Sequence, residues 1–137
     1  MERVIKVLVV DDELDFLETI VKRLAERKLS AHGADNGKEA LDYLQDNEVD
    51  VVILDVKMPG MDGLEVLKRI KFHWPLVEVI MLTGHASVES GIQGMQIGAF
   101  DYVMKPARLE DLLQKVRQAK DRKVIQENKK QRDQKQV

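Results

Sequence analysis

Three carboxylates, one hydroxyl and one amine stand out because each follows an apolar run: Asp11 and Asp12 after Val7-Leu8-Val9-Val10, Asp55 after Val51-Val52-Ile53-Leu54, Thr83 after Val79-Ile80-Met81-Leu82, and Lys105 after Tyr102-Val103-Met104. Carboxylates gathered within a few ångströms repel one another, which raises their proton affinity or recruits a cation. An oxygen-only donor set favours a hard ion, and one or two carboxylates completed by phosphate oxygens and water suit Mg²⁺ better than Ca²⁺. With such an ion beside it, a carboxylate can act as a nucleophile toward phosphorus and form an aspartyl phosphate. Phosphoryl transfer asks a protein mainly for positioning and charge neutralisation, and the ion, the Lys105 ammonium and the Thr83 hydroxyl would meet the phosphoryl oxygens. Singly, each residue has an ordinary reading: Asp55 opens a turn, Asp11-Asp12 begins a helix, Thr83 precedes one, Lys105 lies on the surface. Their joint placement is harder to dismiss.

That placement depends on the elements carrying the residues. Runs apolar at every position suit parallel strands covered on both faces, and Ile5 to Val10 and Val51 to Leu54 are of this kind. Ligands of such sheets bind beyond the carboxyl ends of the strands. Between the strands, Leu14, Leu17, Val21 and Leu24 recur at helical spacing, giving a helix over about Glu13 to Lys28. Leu29 to Ala34 reads as a weaker strand, and Asp35-Asn36-Gly37 as a turn into a helix through Ala40, Leu41 and Leu44. Leu64, Leu67 and Ile70 mark a third helix, stopped near Trp74-Pro75 because the residue before Pro is disfavoured in helix. Val77 to Leu82 is a fourth strand. Ser87 caps a fourth helix carrying Val88, Ile92 and Met95, the weakest of the set because Gly91 and Gly94 each cost about 1 kcal/mol relative to Ala. Asp101 to Met104 is a fifth strand, and Leu109, Leu112, Leu113 and Val116 define a last helix to about Lys120. Five alternations specify a doubly wound α/β domain. Adjacent residues of a strand face opposite ways, so Asp11 and Asp12 share a pocket only if the chain already leaves the strand there.

Composition narrows the function further. With 22 basic and 24 acidic residues the net charge is -2, which gives no general pull toward nucleic acid or a membrane. There is no Cys, hence no disulfide or thiolate metal site. The apolar runs fall far short of the roughly 20 residues that span a bilayer, and Met1-Glu2-Arg3 does not open a signal peptide, so a soluble cytoplasmic protein is expected. Residues 1–120 read as one domain. From Asp121 to Val137 six basic and three acidic residues surround a single apolar pair, Val124-Ile125, which builds no core. A basic helix extension or disordered tail with little buried area is expected there.

The motifs together resemble the receiver domain of two-component response regulators. They are Val7-Leu8-Val9-Val10-Asp11-Asp12-Glu13, Leu54-Asp55-Val56-Lys57-Met58-Pro59-Gly60-Met61-Asp62-Gly63, Met81-Leu82-Thr83-Gly84-His85 and Gly98-Ala99-Phe100-Asp101-Tyr102-Val103-Met104-Lys105-Pro106, in order over about residues 4 to 120. The resemblance implies a flavodoxin-like, five-stranded parallel sheet in the order 2-1-3-4-5 with five helices. It implies that Asp55 is the phosphoacceptor, Asp12 a direct Mg²⁺ ligand, Asp11 an acid acting largely through a water of that ion, and the backbone carbonyl of Lys57 a further ligand. Thr83 and Tyr102 would be a switch pair, Lys105 the phosphate-binding lysine, and the Lys105-Pro106 bond cis. The readout face would be the fourth helix, fifth strand and fifth helix. Implied partners are a sensor histidine kinase or phosphotransfer protein, an effector or output domain, and a second copy through that same face; nucleic acid is not contacted directly. The domain would be a signalling switch and not an enzyme.

Three rival classes fit less well. Phosphatases with an Asp nucleophile typically place it after the first strand in an Asp-x-Asp pattern and add a cap domain. A flavin-binding module needs a hydroxyl- and amide-rich phosphate loop where this chain has Asp11-Asp12-Glu13. A receiver-like domain that is never phosphorylated has no use for the complete acid set. Two residues bear on the lifetime of a phosphorylated state: Lys57 and His85, each two positions beyond a site residue. Lys57 only donates hydrogen bonds, so it cannot hold an attacking water as an amide or carboxylate would. His85 can accept one only when neutral. Slow self-dephosphorylation is therefore expected.

Overall fold

In a computed structural model that describes residues 3–57, 62–84 and 88–135, the chain alternates strand and helix five times. The elements are β1 (Lys6–Val10), α1 (Leu14–Glu26), β2 (Ser30–Ala34), α2 (Gly37–Asp46), β3 (Val51–Asp55), α3 (Gly63–His73), β4 (Glu78–Thr83), α4 (Val88–Ile97), β5 (Asp101–Met104) and α5 (Leu109–Lys135). Met58 to Met61 of the second motif, the Ser87 cap and His85 lie outside the described residues.

All strand pairings are parallel and the order is β2-β1-β3-β4-β5, as the resemblance implied. β3 and β4 are buried at every position, which their unbroken apolar runs require. Alternate residues of each strand serve different cores. Leu8, Val10, Val52, Leu54, Val79 and Met81 pack with Ala40, Leu44, Val66, Leu67 and Ile70 of α2 and α3. Val7, Val9, Val51, Ile53, Ile80 and Leu82 pack with Leu17, Ile20 and Leu24 of α1 and with Leu112, Leu113, Val116 and Ala119 of α5. Asn36 and Asp62 cap α2 and α3, their side chains accepting from the Glu39 and Leu64 N–H groups at 2.8 and 3.1 Å. In α4 the two glycines have a packing reason: a Cβ at Gly94 would overlap Met81, and one at Gly91 would stand 3.3 Å from the Tyr102 ring.

The last helix continues past Lys120 to Lys135, so the stretch takes the helix extension of its two expected alternatives. What departs from the expectation is burial within it. Lys123 is buried, its Nζ 3.2 Å from Asp50 Oδ1 and 3.1 Å from Glu127 Oε2. Beside it, Arg122 Nε lies 2.8 Å from Glu78 Oε2. Asp50 and Glu78 stand at the amino ends of β3 and β4, so two buried acids hold the helix past the residue where the apolar stripe runs out. The side chains from Asn128 to Gln134 are all exposed, as expected.

Candidate functional site

The carboxyl ends of β1, β3, β4 and β5 form one edge, and the register decides which residues meet there. Val10 lies opposite Leu54, Asp55 opposite Leu82, and Thr83 opposite Met104. Asp11 is therefore level with Asp55, and Thr83 and Lys105 each stand one residue beyond a neighbouring strand. β1 ends at Val10, so the chain has left the strand at Asp11 and Asp12, and the bend they need to share a pocket is present. Carboxylate oxygens of Asp11, Asp12 and Asp55 lie within 4.8 Å of one another.

Asp11, Asp55 and Lys105 are tied in place locally. Asp11 is fully buried; its Oδ1 accepts from the Glu13 N–H at 2.9 Å, satisfying a donor at the start of α1, and its Oδ2 accepts from Lys105 Nζ at 3.0 Å. Asp55, also buried, accepts from the Lys57 N–H at 3.3 Å and has its Oδ2 3.7 Å from Lys105 Nζ. Glu13 Oε1 lies 3.9 Å from the same ammonium. Thr83 is buried, and its carbonyl accepts from the Lys105 N–H at 2.7 Å, which joins the ends of β4 and β5. The Lys105-Pro106 peptide is cis. Behind Asp55, the Gly63 N–H donates to the Val56 carbonyl at 3.1 Å, and a Cβ at Gly63 would lie 2.6 Å from the Asp55 carbonyl oxygen. Only glycine lets α3 begin so close to the strand end.

The electrostatics follow from burial. Asp55 has its pKa pushed up to about 6, first by burial and then by the Asp11 charge, against the lowering effects of Lys105 and the Lys57 N–H. For Lys105 burial works toward a lower pKa, but the Asp11 hydrogen bond and the charges of Asp55, Asp11 and Glu13 outweigh it and hold the ammonium above its ordinary range. One ammonium thus faces several carboxylates, and the cluster remains short of positive charge.

Tyr102 is half-buried, opposite Met81, and packs against the core that Met81 joins. Because Met104 is opposite Thr83, Tyr102 lies on the Thr83 face two residues away. The Lys57 side chain is exposed, and among the described residues its ammonium pairs with none of the three carboxylates. One neighbour escaped the sequence reading: the Phe16 ring, with Lys105 Nζ 4.7 Å from its centroid. Phe16 falls one residue before Leu17 and so just off the apolar stripe of α1; an aromatic on a helix flank near two acids was the only available signal.

Comparison with known proteins bears on this arrangement. Residues 7–117 match the family model described as the response regulator receiver domain. The chain is 38% identical over 112 residues to the regulatory protein AtoC of Escherichia coli K12, covering 82% of this chain and 24% of that protein. It is likewise 38% identical over 113 residues to the DNA-binding transcriptional regulator NtrC of the same strain, with the same coverage of 82% and 24%. The chain thus spans about a quarter of the length of these relatives. Among solved structures, a response regulator receiver domain protein from Clostridium thermocellum superposes with a TM-score of 0.85 at 36% identity, over 89% of this chain and 98% of that one.

Proposed function

The chain belongs to the response regulator receiver domain family, and from that premise we propose that it is a phosphorylation-dependent switch that accepts a phosphoryl group on Asp55 from a sensor histidine kinase or a phosphotransfer protein. The observation that carries this is the buried meeting of Asp55 with Asp11, Asp12 and Lys105 at one sheet edge.

The donor set fits Mg²⁺: three carboxylates within 4.8 Å of one another, with one ammonium to offset them. Asp11, Asp12, Asp55 and the Lys57 carbonyl would hold the ion. When bound, it supplies charge neutralisation to the cluster and to the incoming phosphoryl oxygens. In the transfer, an Asp55 carboxylate oxygen attacks phosphorus and a new O–P bond forms. The N–P bond of the donor phosphohistidine breaks, its electron pair leaves with the imidazole, and the imidazole takes a proton. Lys105, at 3.7 Å from Asp55, donates to a phosphoryl oxygen. The Thr83 hydroxyl donates to another, and Tyr102, on the same face, turns into the space this opens. The phosphoryl group stays on the chain, so the domain is a stoichiometric switch and not an enzyme with an external product.

The readout face is α4, β5 and α5, where Ile92, Met95 and Met104 are exposed apolar residues, and it would serve an effector, an output domain or a second copy. Because the relatives are longer, an output domain in the same protein is part of the proposal; DNA contact would belong to it. Residues 121–135 would then connect the receiver to that output domain. A cytoplasmic location belongs to the same proposal; among the described residues no helix is long and apolar enough to cross a membrane.

Intact-protein mass spectrometry after incubation with acetyl phosphate and Mg²⁺ tests this. A single hydroxylamine-labile phosphoryl adduct is expected, lost without Mg²⁺ and in Asp55→Asn. The same adduct in that variant would overturn the assignment.

A further inference from the structure

We infer that Phe16 is a positioning residue for this transfer: its ring face holds the Lys105 ammonium in place while leaving its N–H groups free to turn from Asp11 to the phosphoryl oxygens. The inference rests on the role given to Lys105 above. It starts from a competition among acceptors. Asp11 Oδ2 takes a hydrogen bond from Nζ at 3.0 Å, while Asp55 Oδ2 and Glu13 Oε1, at 3.7 and 3.9 Å, attract the charge from beyond hydrogen-bonding distance. At rest, then, the ammonium is directed toward a residue other than the phosphoacceptor. A fourth neighbour is the Phe16 ring, 4.7 Å from Nζ to centroid and well within the range of an attractive cation–π contact.

The two kinds of contact differ in what they constrain. A carboxylate lone pair fixes the direction of an N–H bond. A ring face attracts the charge as a whole and has no lone pair to aim at, so the ammonium can rotate above it at little cost. Phe16 is half-buried and packs against the core shared by α1 and α5, so its ring is held from behind. An aliphatic side chain would shield Lys105 from water equally well but return no attraction to the charge it had desolvated.

In the reaction with acetyl phosphate, the Asp55 oxygen attacks phosphorus, the bond from phosphorus to the acetyl oxygen breaks, and acetate leaves with the electron pair. Negative oxygens then stand at the end of Asp55, and Lys105 turns toward them over the ring.

The test is the rate of phosphorylation by acetyl phosphate, at saturating Mg²⁺, in wild type, Phe16→Leu, Phe16→Tyr and Phe16→pentafluorophenylalanine, the last introduced by nonsense suppression. The fluorinated ring keeps the shape but reverses the charge distribution of the face. We expect the leucine and pentafluoro variants to lose roughly three- to tenfold in the rate constant at saturating donor. Their half-saturating donor concentration should change little, and Phe16→Tyr should stay near wild type. In NMR spectra the Lys105 ε-methylene protons should lose their ring-current shift in Phe16→Leu only. Urea unfolding monitored by Trp74 fluorescence shows which variants fold. A pentafluoro variant as fast as wild type would make Phe16 a packing residue and overturn the inference, as would a Phe16→Tyr variant as slow as Phe16→Leu. If wild type itself gains no adduct on Asp55, the proposed function fails too; a normal wild type beside a normal pentafluoro variant sinks the Phe16 role alone.

Discussion

Lys123 and Asp50 meet at the amino end of the sheet, Nζ to Oδ1 3.2 Å, with both residues buried. The pair joins the last helix to the start of the strand that carries Asp55 at its other end. It makes part of the basic segment a structural element. Lys123→Ala should lower stability by about 2 kcal/mol, less than the full cost of breaking a buried pair because Arg3 at 2.7 Å and the Lys6 N–H at 2.9 Å still serve Asp50. Truncation after Lys120 should cost at least as much, and truncation after Asn128 very little. Urea midpoints check all three; an unchanged midpoint on truncation after Lys120 would mean that the helix past that residue only extends the chain.

The raised Asp55 pKa predicts a pH-dependent stability without divalent ions. The folded state binds this proton more tightly than the unfolded chain, so the stabilisation is full below the unfolded value of 3.8 and is lost as pH rises through about 6. Asp55→Asn should remove that slope and leave the protein more stable than wild type at pH 7. Mg²⁺ should raise the wild-type midpoint and have a smaller effect on Asp55→Asn. A wild-type stability that does not fall between pH 4 and pH 6.5 would contradict the assigned environment.

Gly63→Ala sets a Cβ 2.6 Å from the Asp55 carbonyl oxygen and 2.7 Å from Val56 Cα, both backbone atoms that cannot swing aside. A loss of about 3 kcal/mol is expected, together with slower phosphorylation, because the strand end carrying Asp55, the proposed nucleophile, must shift. Normal stability with normal phosphorylation would show that α3 can move away from β3 without consequence.

Lys57 is expected to affect how long the proposed phosphorylated state lasts. Its exposed side chain offers only donors, so it can cover phosphoryl oxygens but cannot orient an attacking water by accepting a hydrogen bond. Lys57→Asn should accelerate loss of the phosphoryl group several-fold in Mg²⁺. Decay followed by mass spectrometry gives the answer, and an equal or slower mutant would exclude this role for Lys57.

The features legible in the sequence were local in origin. Unbroken apolar runs such as Val51 to Leu54 identify strands covered on both faces, and the polar residue ending each run identifies what a parallel sheet delivers to its carboxyl edge. Asp11, Asp12, Asp55, Thr83 and Lys105 were legible for that reason. The strand order needed the family resemblance, since periodicity says which face a residue is on and not which strand is its neighbour.

Only the tertiary structure decided the contacts between distant segments. Periodicity treats Asp50 and Glu78 as polar residues at strand starts and Lys123 as part of a solvated run, because nothing within a helical or strand repeat reports a partner 73 positions away. Phe16 lies off the apolar stripe of α1, and only the folded chain puts its ring beside Lys105. The proton affinity of Asp55 is of the same kind: the residue type sets the ordinary value, and burial beside Asp11 moves it to about 6. Local sequence determines the candidates, whereas charge, desolvation and pairing depend on distances through space that only the folded chain defines.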